Sequence, residues 1–98
     1  MTKNEILQYL KTHKEEFGQR YNVEKMALFG SFARNEAQAK SDIDIVYSLK
    51  KGAKMSYDKY IELEESLRKS FNADVDLVNE KKLNPLVKIH ALKDFIYV

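Results

Sequence analysis

The residues with the clearest chemical potential are two aspartates in a short apolar segment. Asp42 and Asp44 flank Ile43, and the apolar residues 45–47 follow directly. Because side chains alternate between the two faces of a strand, Asp42 and Asp44 share one face, with their Cα atoms about 7 Å apart. Two carboxylates that converge to roughly 4 Å repel each other by about 4 kcal/mol, so the pattern indicates a cation between them. We expect Mg²⁺, which prefers hard oxygen ligands.

A third carboxylate repeats this pattern further along the chain. Asp76 lies between Val75 and Leu77 in another short apolar segment. Asp74 shares its face by parity but lies nearer to the end of the segment, so we assign the third position to Asp76. Three converging carboxylates supply enough ligands for two metal ions, which can clamp the attacking and leaving oxygens of a phosphoryl transfer.

A glycine and a serine follow the first apolar segment. Gly30 and Ser31 stand directly after residues 23–29, where the pattern predicts a strand that turns into a short helix. Backbone N–H groups at such a turn, together with the Ser31 hydroxyl, can hold the phosphates of a nucleotide. The surrounding residues do not match the Walker-A pattern. Arg34 either contacts a phosphate as well or anchors the short helix through a surface ion pair.

The elements that must position these residues can be read from periodicity and capping signals. Thr2 and Glu5 have capping-box spacing, which predicts a helix from Thr2 to Phe17 that Gly18 ends. Strands are predicted over residues 23–29, 43–47, 75–78 and 95–98, and further helices after Ser56, reaching Phe71, and after Asn84. The order predicts an α/β (α+β) fold with two layers, in which a small mixed β-sheet packs against helices.

Two further groups of residues have mainly structural interpretations. Tyr57, Tyr60 and Ile61 recur at helical spacing and are expected to pack on the sheet, although exposed aromatics could form a partner surface. The lysines at positions 50, 51 and 54 lie in one loop that we place beside the carboxylates. Their simplest interpretation is a solvated turn, and the alternative is that they attract a nucleoside triphosphate or an acidic partner.

Composition limits the function classes. The chain has 98 residues and a net charge of +2, and 44% of its residues are hydrophobic, which predicts one folded domain over residues 1–98. Without cysteine and with two isolated histidines it has no thiolate or zinc site. Its apolar runs of four or so residues fall far short of the roughly 20 that span a bilayer, so we expect a cytoplasmic protein. No segment is basic enough to predict direct nucleic-acid binding.

The three motifs, taken in order, resemble a known enzyme superfamily. Residues 30–34 (GSFAR), 41–45 (SDIDI) and 75–78 (VDLV) are similar to motifs of the nucleotidyltransferases that include DNA polymerase β. The resemblance is greatest to the minimal nucleotidyltransferase (MNT) family and covers almost the whole chain. Asn35 stands where the family pattern has a glycine, but asparagine tolerates the left-handed conformation better than most residues.

This resemblance implies a Mg²⁺-dependent enzyme that moves AMP from ATP to a hydroxyl group and releases pyrophosphate. It implies that Asp42, Asp44 and Asp76 are the catalytic metal ligands, that Asp76 also helps to deprotonate the acceptor, and that Gly30 and Ser31 hold the triphosphate. MNT proteins are commonly the antitoxins of HEPN-domain toxins, and some add AMP to a tyrosine of the toxin. We therefore expect a HEPN toxin as the partner, in a toxin–antitoxin pair similar to those of type VII.

Two other functions compete with this one. The protein could be a non-catalytic antitoxin that binds and occludes its toxin, but a surface kept for binding alone does not need three carboxylates inside apolar strands. It could instead transfer nucleotides to a small molecule or to RNA. That function predicts an additional acceptor domain, for which 98 residues leave no room, or a basic groove, which the charge distribution does not show.

Overall fold

The computed structural model describes residues 1–98 as a four-stranded sheet with helices packed on it. The helices are α1 (Lys3–Tyr21), α2 (Gly30–Ala33), α3 (Tyr57–Phe71) and α4 (Pro85–Ala91), and the strands are β1 (Val23–Phe29), β2 (Ile43–Leu49), β3 (Val75–Asn79) and β4 (Ile96–Tyr97). Short 3₁₀ turns at Glu80–Lys82 and Leu92–Asp94 flank α4. None of these helices combines the length and the apolar character that a membrane span requires. The predicted mixed α+β fold is confirmed.

The sheet is mixed, in the order β3-β2-β1-β4. Strand β2 pairs antiparallel with β1 and parallel with β3, and β4 pairs antiparallel with β1. The parallel pair requires a crossover, which α3 supplies. The two registers place Phe29, at the end of β1, and Asp76, in β3, on either side of Asp44 in β2.

One face of the sheet carries the main core. Ile43, Ile45 and Leu77 are at most 2% exposed and pack against α1 and α3. The helical side chains buried in this core are Ile6, Leu10, Phe17, Tyr21, Leu63, Leu67 and Phe71. Because side chains alternate along a strand, Asp44 and Asp76 point to the opposite face. The apolar residues between them therefore anchor the strands while the carboxylates stay outside the core.

Helix α1 is longer than the sequence predicts. The expected end at Gly18 is wrong, since the helix continues to Tyr21 and Asn22 ends it in the left-handed conformation, with φ of 61°. The predicted capping box between Thr2 and Glu5 is present. Glycine inside a helix costs only about 1 kcal/mol relative to alanine. The additional turn buries Tyr21 in the core, and that burial offsets the cost of the glycine.

Helix α3 begins as predicted but buries a different set of residues. The Ser56 side chain accepts a hydrogen bond from the Lys59 N–H and caps the helix. The expectation that Tyr57 packs on the sheet is wrong, because its side chain is 74% exposed. Tyr60, one turn later, is partly buried and donates a hydrogen bond of 2.6 Å to the Leu77 carbonyl. The sheet-facing side of α3 therefore starts at Tyr60 rather than at its first residue.

A pair of leucine substitutions tests this division between core and surface. Leu63→Ala is expected to lower the free energy of unfolding by about 3 kcal/mol, because Leu63 is fully buried. Leu86→Ala, at a side chain that is 70% exposed, should change it by less than about 0.5 kcal/mol. Urea unfolding of both variants measures the difference. A comparable loss in both would show that Leu86 is packed in solution.

Candidate active site

The structure brings the predicted carboxylates to one edge of the sheet. Asp42 immediately precedes β2, Asp44 is the second residue of β2, and Asp76 is the second residue of β3. Asp44 and Asp76 are partners in the parallel register, and adjacent strands lie about 4.8 Å apart, so the two carboxylates are neighbours. Asp74 lies one step outside β3, and its carbonyl accepts a hydrogen bond from the Ile43 N–H. The negative charges that act on Asp44 are those of Asp76 and Asp42.

Asp44 is the half-buried member of this set, whereas Asp42 and Asp76 are exposed. Burial, followed by the negative charges of Asp76 and Asp42, raises the pKa of Asp44 from 3.8 to about 6. No group of three or more histidine, aspartate or glutamate side chains is arranged to hold a metal ion alone. A cation bound here would need further ligands from water or from phosphate oxygens, which is how Mg²⁺ is commonly held.

The backbone at Gly30 lies directly against the Asp44 carboxylate. After Phe29, the register partner of Asp44, Gly30 turns the chain into α2 with φ of 76°. A Cβ atom at position 30 would overlap the Asp44 Oδ2 atom. Only glycine meets both conditions, the left-handed conformation and the close approach. The turn therefore carries the first residues of α2, including Ser31, to the carboxylate edge.

The chain leaves α2 through a second left-handed residue. Asn35 has φ of 59°, so asparagine adopts here the conformation for which the family pattern has glycine. The Asn35 N–H donates to the Phe32 carbonyl at 3.2 Å, and the Glu36 N–H donates to the Ser31 carbonyl at 2.9 Å. These hydrogen bonds close the turn with asparagine in place.

Arg34 lies near the carboxylates but already has partners. Its Nε atom is 3.0 Å from Glu36 Oε2, and its Nη1 atom is 3.2 Å from Asp94 Oδ2. The positive charge of Arg34 also acts on Asp44 and partly offsets the rise in the pKa of the Asp44 carboxyl. Of the two roles left open for Arg34, the structure shows the ion pair. Asp94 was not predicted, because no local pattern connects residues that are 60 positions apart.

The lysine-rich loop does not lie beside this site, and its predicted position is wrong. Residues 50–54 follow the C-terminal end of β2, whereas Asp42 and Asp44 lie at the N-terminal end of that strand. The six residue steps of extended chain from Asp44 to Lys50 span about 20 Å. The sequence shows that the loop follows the strand but not how far the strand carries it from the site.

Two glycines with nearly the same backbone conformation allow the Gly30 contact to be tested. Gly52 has φ of 77° and nothing within 4 Å of an added Cβ, so Gly52→Ala should cost only the left-handed conformation, about 1 kcal/mol. Gly30→Ala should cost at least about 1 kcal/mol more, because the Asp44 carboxylate must also move. Urea unfolding of the two variants measures both costs. Equal losses would contradict the contact between Gly30 and Asp44.

The Asp44 carboxylate is expected to destabilise the ligand-free protein when it ionises. The folded protein holds the Asp44 proton more tightly than the unfolded chain does, so stability is lost as the pH rises from 3.8 to about 6. Because Asp44 is half exposed and solvent screens its charge, Asp44→Asn should raise the free energy of unfolding by only about 1 kcal/mol at about pH 8 and leave it unchanged below about pH 4. Thermal unfolding across this range measures the effect, with Asp74→Asn as the matched control. Identical curves for wild type and Asp44→Asn would contradict the raised pKa of Asp44.

Comparison with known sequences places the chain in a family. The sequence profile of the nucleotidyltransferase domain matches residues 10–98. A candidate protein adenylyltransferase of Methanocaldococcus jannaschii is 41% identical over 98 residues, which cover 99% of this chain and 98% of that protein. The protein adenylyltransferase MntA of Thermococcus cleftensis is 35% identical over 98 residues, covering 100% of this chain and 97% of that protein.

Solved structures show the same fold. A candidate minimal nucleotidyltransferase superposes with a TM-score of 0.80 at 23% identity, covering 98% of this chain and 95% of that one. A toxin–antitoxin structure with AMP-PNP has a TM-score of 0.62 at 23% identity. The match covers 89% of this chain and 64% of that one. A third structure is the Shewanella oneidensis complex of a tri-AMPylated HEPN toxin with an MNT antitoxin. Its TM-score is 0.60 at 20% identity, and the match covers 97% of this chain and 66% of that one.

The sequence match extends over nearly the whole chain, and the fold and the order of the three motifs agree with it. The relatives are as long as this chain within a few residues, so the likeness is not limited to one motif. The chain belongs to the nucleotidyltransferase family and is an enzyme of that family.

Proposed function

We propose that this protein is a protein adenylyltransferase that transfers AMP from ATP to a hydroxyl of a HEPN-domain toxin and thereby acts as its antitoxin. The observation that carries this proposal is the meeting of Asp42, Asp44 and Asp76 with the Gly30 turn at one sheet edge. Relatives that match the chain over its full length bear the name protein adenylyltransferase. Proteins of the same fold occur in complexes with AMP-PNP or with an AMPylated HEPN toxin.

The three carboxylates are the groups that would hold Mg²⁺. Their oxygens are the hard ligands that this ion prefers. Burial, followed by the charges of Asp76 and Asp42, raises the pKa of Asp44, and a divalent cation would favour its ionised form. A Mg²⁺ ion held by these carboxylates would neutralise charge at the transferred phosphate and lower the pKa of the attacking hydroxyl. Because no group of three or more such side chains is arranged to hold a metal ion, water or phosphate oxygens would have to complete the ligand set.

Other groups of this chain can bind the triphosphate and accept the proton of the acceptor. The first N–H groups of a helix have no partner within it, and at α2 they lie beside Asp44, where they and the Ser31 hydroxyl can hold the triphosphate. Asp76 is exposed and can accept the proton of an incoming hydroxyl. Arg34 can contact a phosphate only after it exchanges Glu36 or Asp94 for the nucleotide.

The exposure of the site favours a protein as the acceptor. Asp42 and Asp76 both lie at the surface, so the site has no enclosing wall on their side. Pockets for small molecules bury most of the ligand surface. Without such a pocket, the acceptor hydroxyl must be positioned by the molecule that carries it.

A non-catalytic antitoxin that only occludes its toxin is the second candidate. The observation in its favour is that Arg34 pairs with Glu36 and Asp94 and is therefore not free to contact a phosphate. The close contact between Gly30 and Asp44 speaks against it, because binding alone does not require a glycine and a half-buried carboxylate at this point.

Intact-mass spectrometry of the host's HEPN-domain protein tests the proposal. After incubation with this protein, ATP and Mg²⁺, the HEPN protein is expected to gain the mass of one or more AMP groups. Asp44→Asn should slow the transfer at least about 100-fold through loss of a metal ligand, and Asp74→Asn should retain it. Omission of Mg²⁺ should abolish transfer. Tight binding without any mass gain would instead support occlusion.

A further inference from the structure

Helix α4 presents an apolar face that the rest of the protein does not cover. Leu86 and Ile89 are each 70% exposed, Val87 is 52% exposed, and Leu92, just after the helix, is 48% exposed. Leu86 and Ile89 lie three positions apart and therefore on the same side of the helix. No residue of α4 is buried, whereas α1 and α3 each bury at least three. These four residues are called the α4 face.

The fold does not explain why this face is apolar. The start of α4 is set by local signals, since Pro85 occupies its first turn and the Asn84 side chain accepts a hydrogen bond of 2.9 Å from the Leu86 N–H. Each large apolar side chain left in water forgoes about 1.5–3 kcal/mol of burial free energy. Contiguous apolar surface of this kind on a folded protein marks an interaction site.

A groove of about 440 Å³ connects the α4 face to the candidate active site. Leu86, Val87 and His90 line one side of it, and Gly30 and Arg34 line the other. The ion pair between Arg34 and Asp94 fastens the segment after α4 to α2. A molecule seated on the α4 face would therefore also contact the Gly30 turn.

The charges around the α4 face distinguish between possible occupants. Lys88 lies within α4 and Lys93 directly follows Leu92, and neither lysine is in a salt bridge. The two acidic residues of this region already have partners, since Glu80 accepts a hydrogen bond from the Tyr97 hydroxyl and Asp94 pairs with Arg34. The border of the face is therefore positive.

A second copy of this chain is a poor occupant. A two-fold interface pairs a surface patch with itself, so the lysines of one copy would oppose the lysines of the other. Like charges at an interface disfavour association, whereas an acidic border on a different protein would be attracted. The charge pattern therefore favours a different protein with an apolar strip bordered by acidic residues.

We propose that the α4 face is the docking surface for the acceptor protein and that docking brings the acceptor hydroxyl to the Gly30 turn and the carboxylates. The occupant is the HEPN-domain partner, through an apolar surface with an acidic border. The identity of this occupant rests on the proposed function. The position of the surface rests on the exposure of α4, its lysine border and the groove that it shares with Gly30.

A double substitution on the α4 face tests the docking surface. Leu86→Glu combined with Ile89→Glu should weaken binding of the host's HEPN-domain protein at least about tenfold by isothermal titration calorimetry. Both side chains are exposed and glutamate favours helices, so the melting temperature should be unchanged. ATP affinity should also be unchanged, and AMP transfer should fall through a higher KM for the acceptor. Tyr57→Glu, at an exposed aromatic outside α4, is the matched control.

Other outcomes would separate this proposal from the proposed function. If the double variant binds and modifies the HEPN protein as the wild type does, the docking surface is wrong and adenylylation stands. If the variant loses binding but the wild type never transfers AMP, the docking surface stands and adenylylation is wrong. Failure of the wild type to bind the HEPN protein overturns the docking surface. A wild-type dimer in light scattering that the double variant abolishes would also overturn it, in favour of self-association.

Discussion

The contact between the Gly30 backbone and the Asp44 carboxylate is the constraint on which the candidate site depends. It requires the antiparallel register in which Phe29 pairs with Asp44, so that β1 ends where β2 presents its carboxylate. It also requires a residue without a Cβ atom at position 30. The parallel register between β2 and β3 then adds Asp76 to the same edge. A one-residue slip in either register would separate these groups.

This arrangement places like charges together, and the protein tolerates them because its core lies on the other face of the sheet. Burial and two neighbouring carboxylates raise the pKa of Asp44 to about 6, which means that ionisation opposes folding. Ile43 and Ile45, fully buried on either side of Asp44, hold the strand in place against that repulsion. A cation bound between these carboxylates would relieve the repulsion, so the site would lose stability that cation binding restores. Asp42 and Asp76 are exposed at this edge, and the α4 face shares a groove with Gly30 and Arg34.

Much of the fold could be predicted from the sequence because its signals are local. The Thr2 capping box, the Ser56 cap and the Asn84–Pro85 start are each set by contacts within a few residues, and all three are present. Alternation of apolar residues with Asp44 and Asp76 likewise predicted both the strands and the face that the carboxylates occupy. These features were predictable because hydrogen bonds and periodicity within one element determine them.

The sequence by itself thus determined the types of the elements and the chemical groups that they carry. Only the tertiary structure decided that α1 continues through Gly18, that Tyr57 stays exposed, and that Asp94 pairs with Arg34. It also decided that the lysine loop lies at the far end of β2 and that α4 leaves its apolar face uncovered. Each of these features depends on contacts between residues that are distant in the chain. A local sequence pattern does not show which distant residues a side chain will contact.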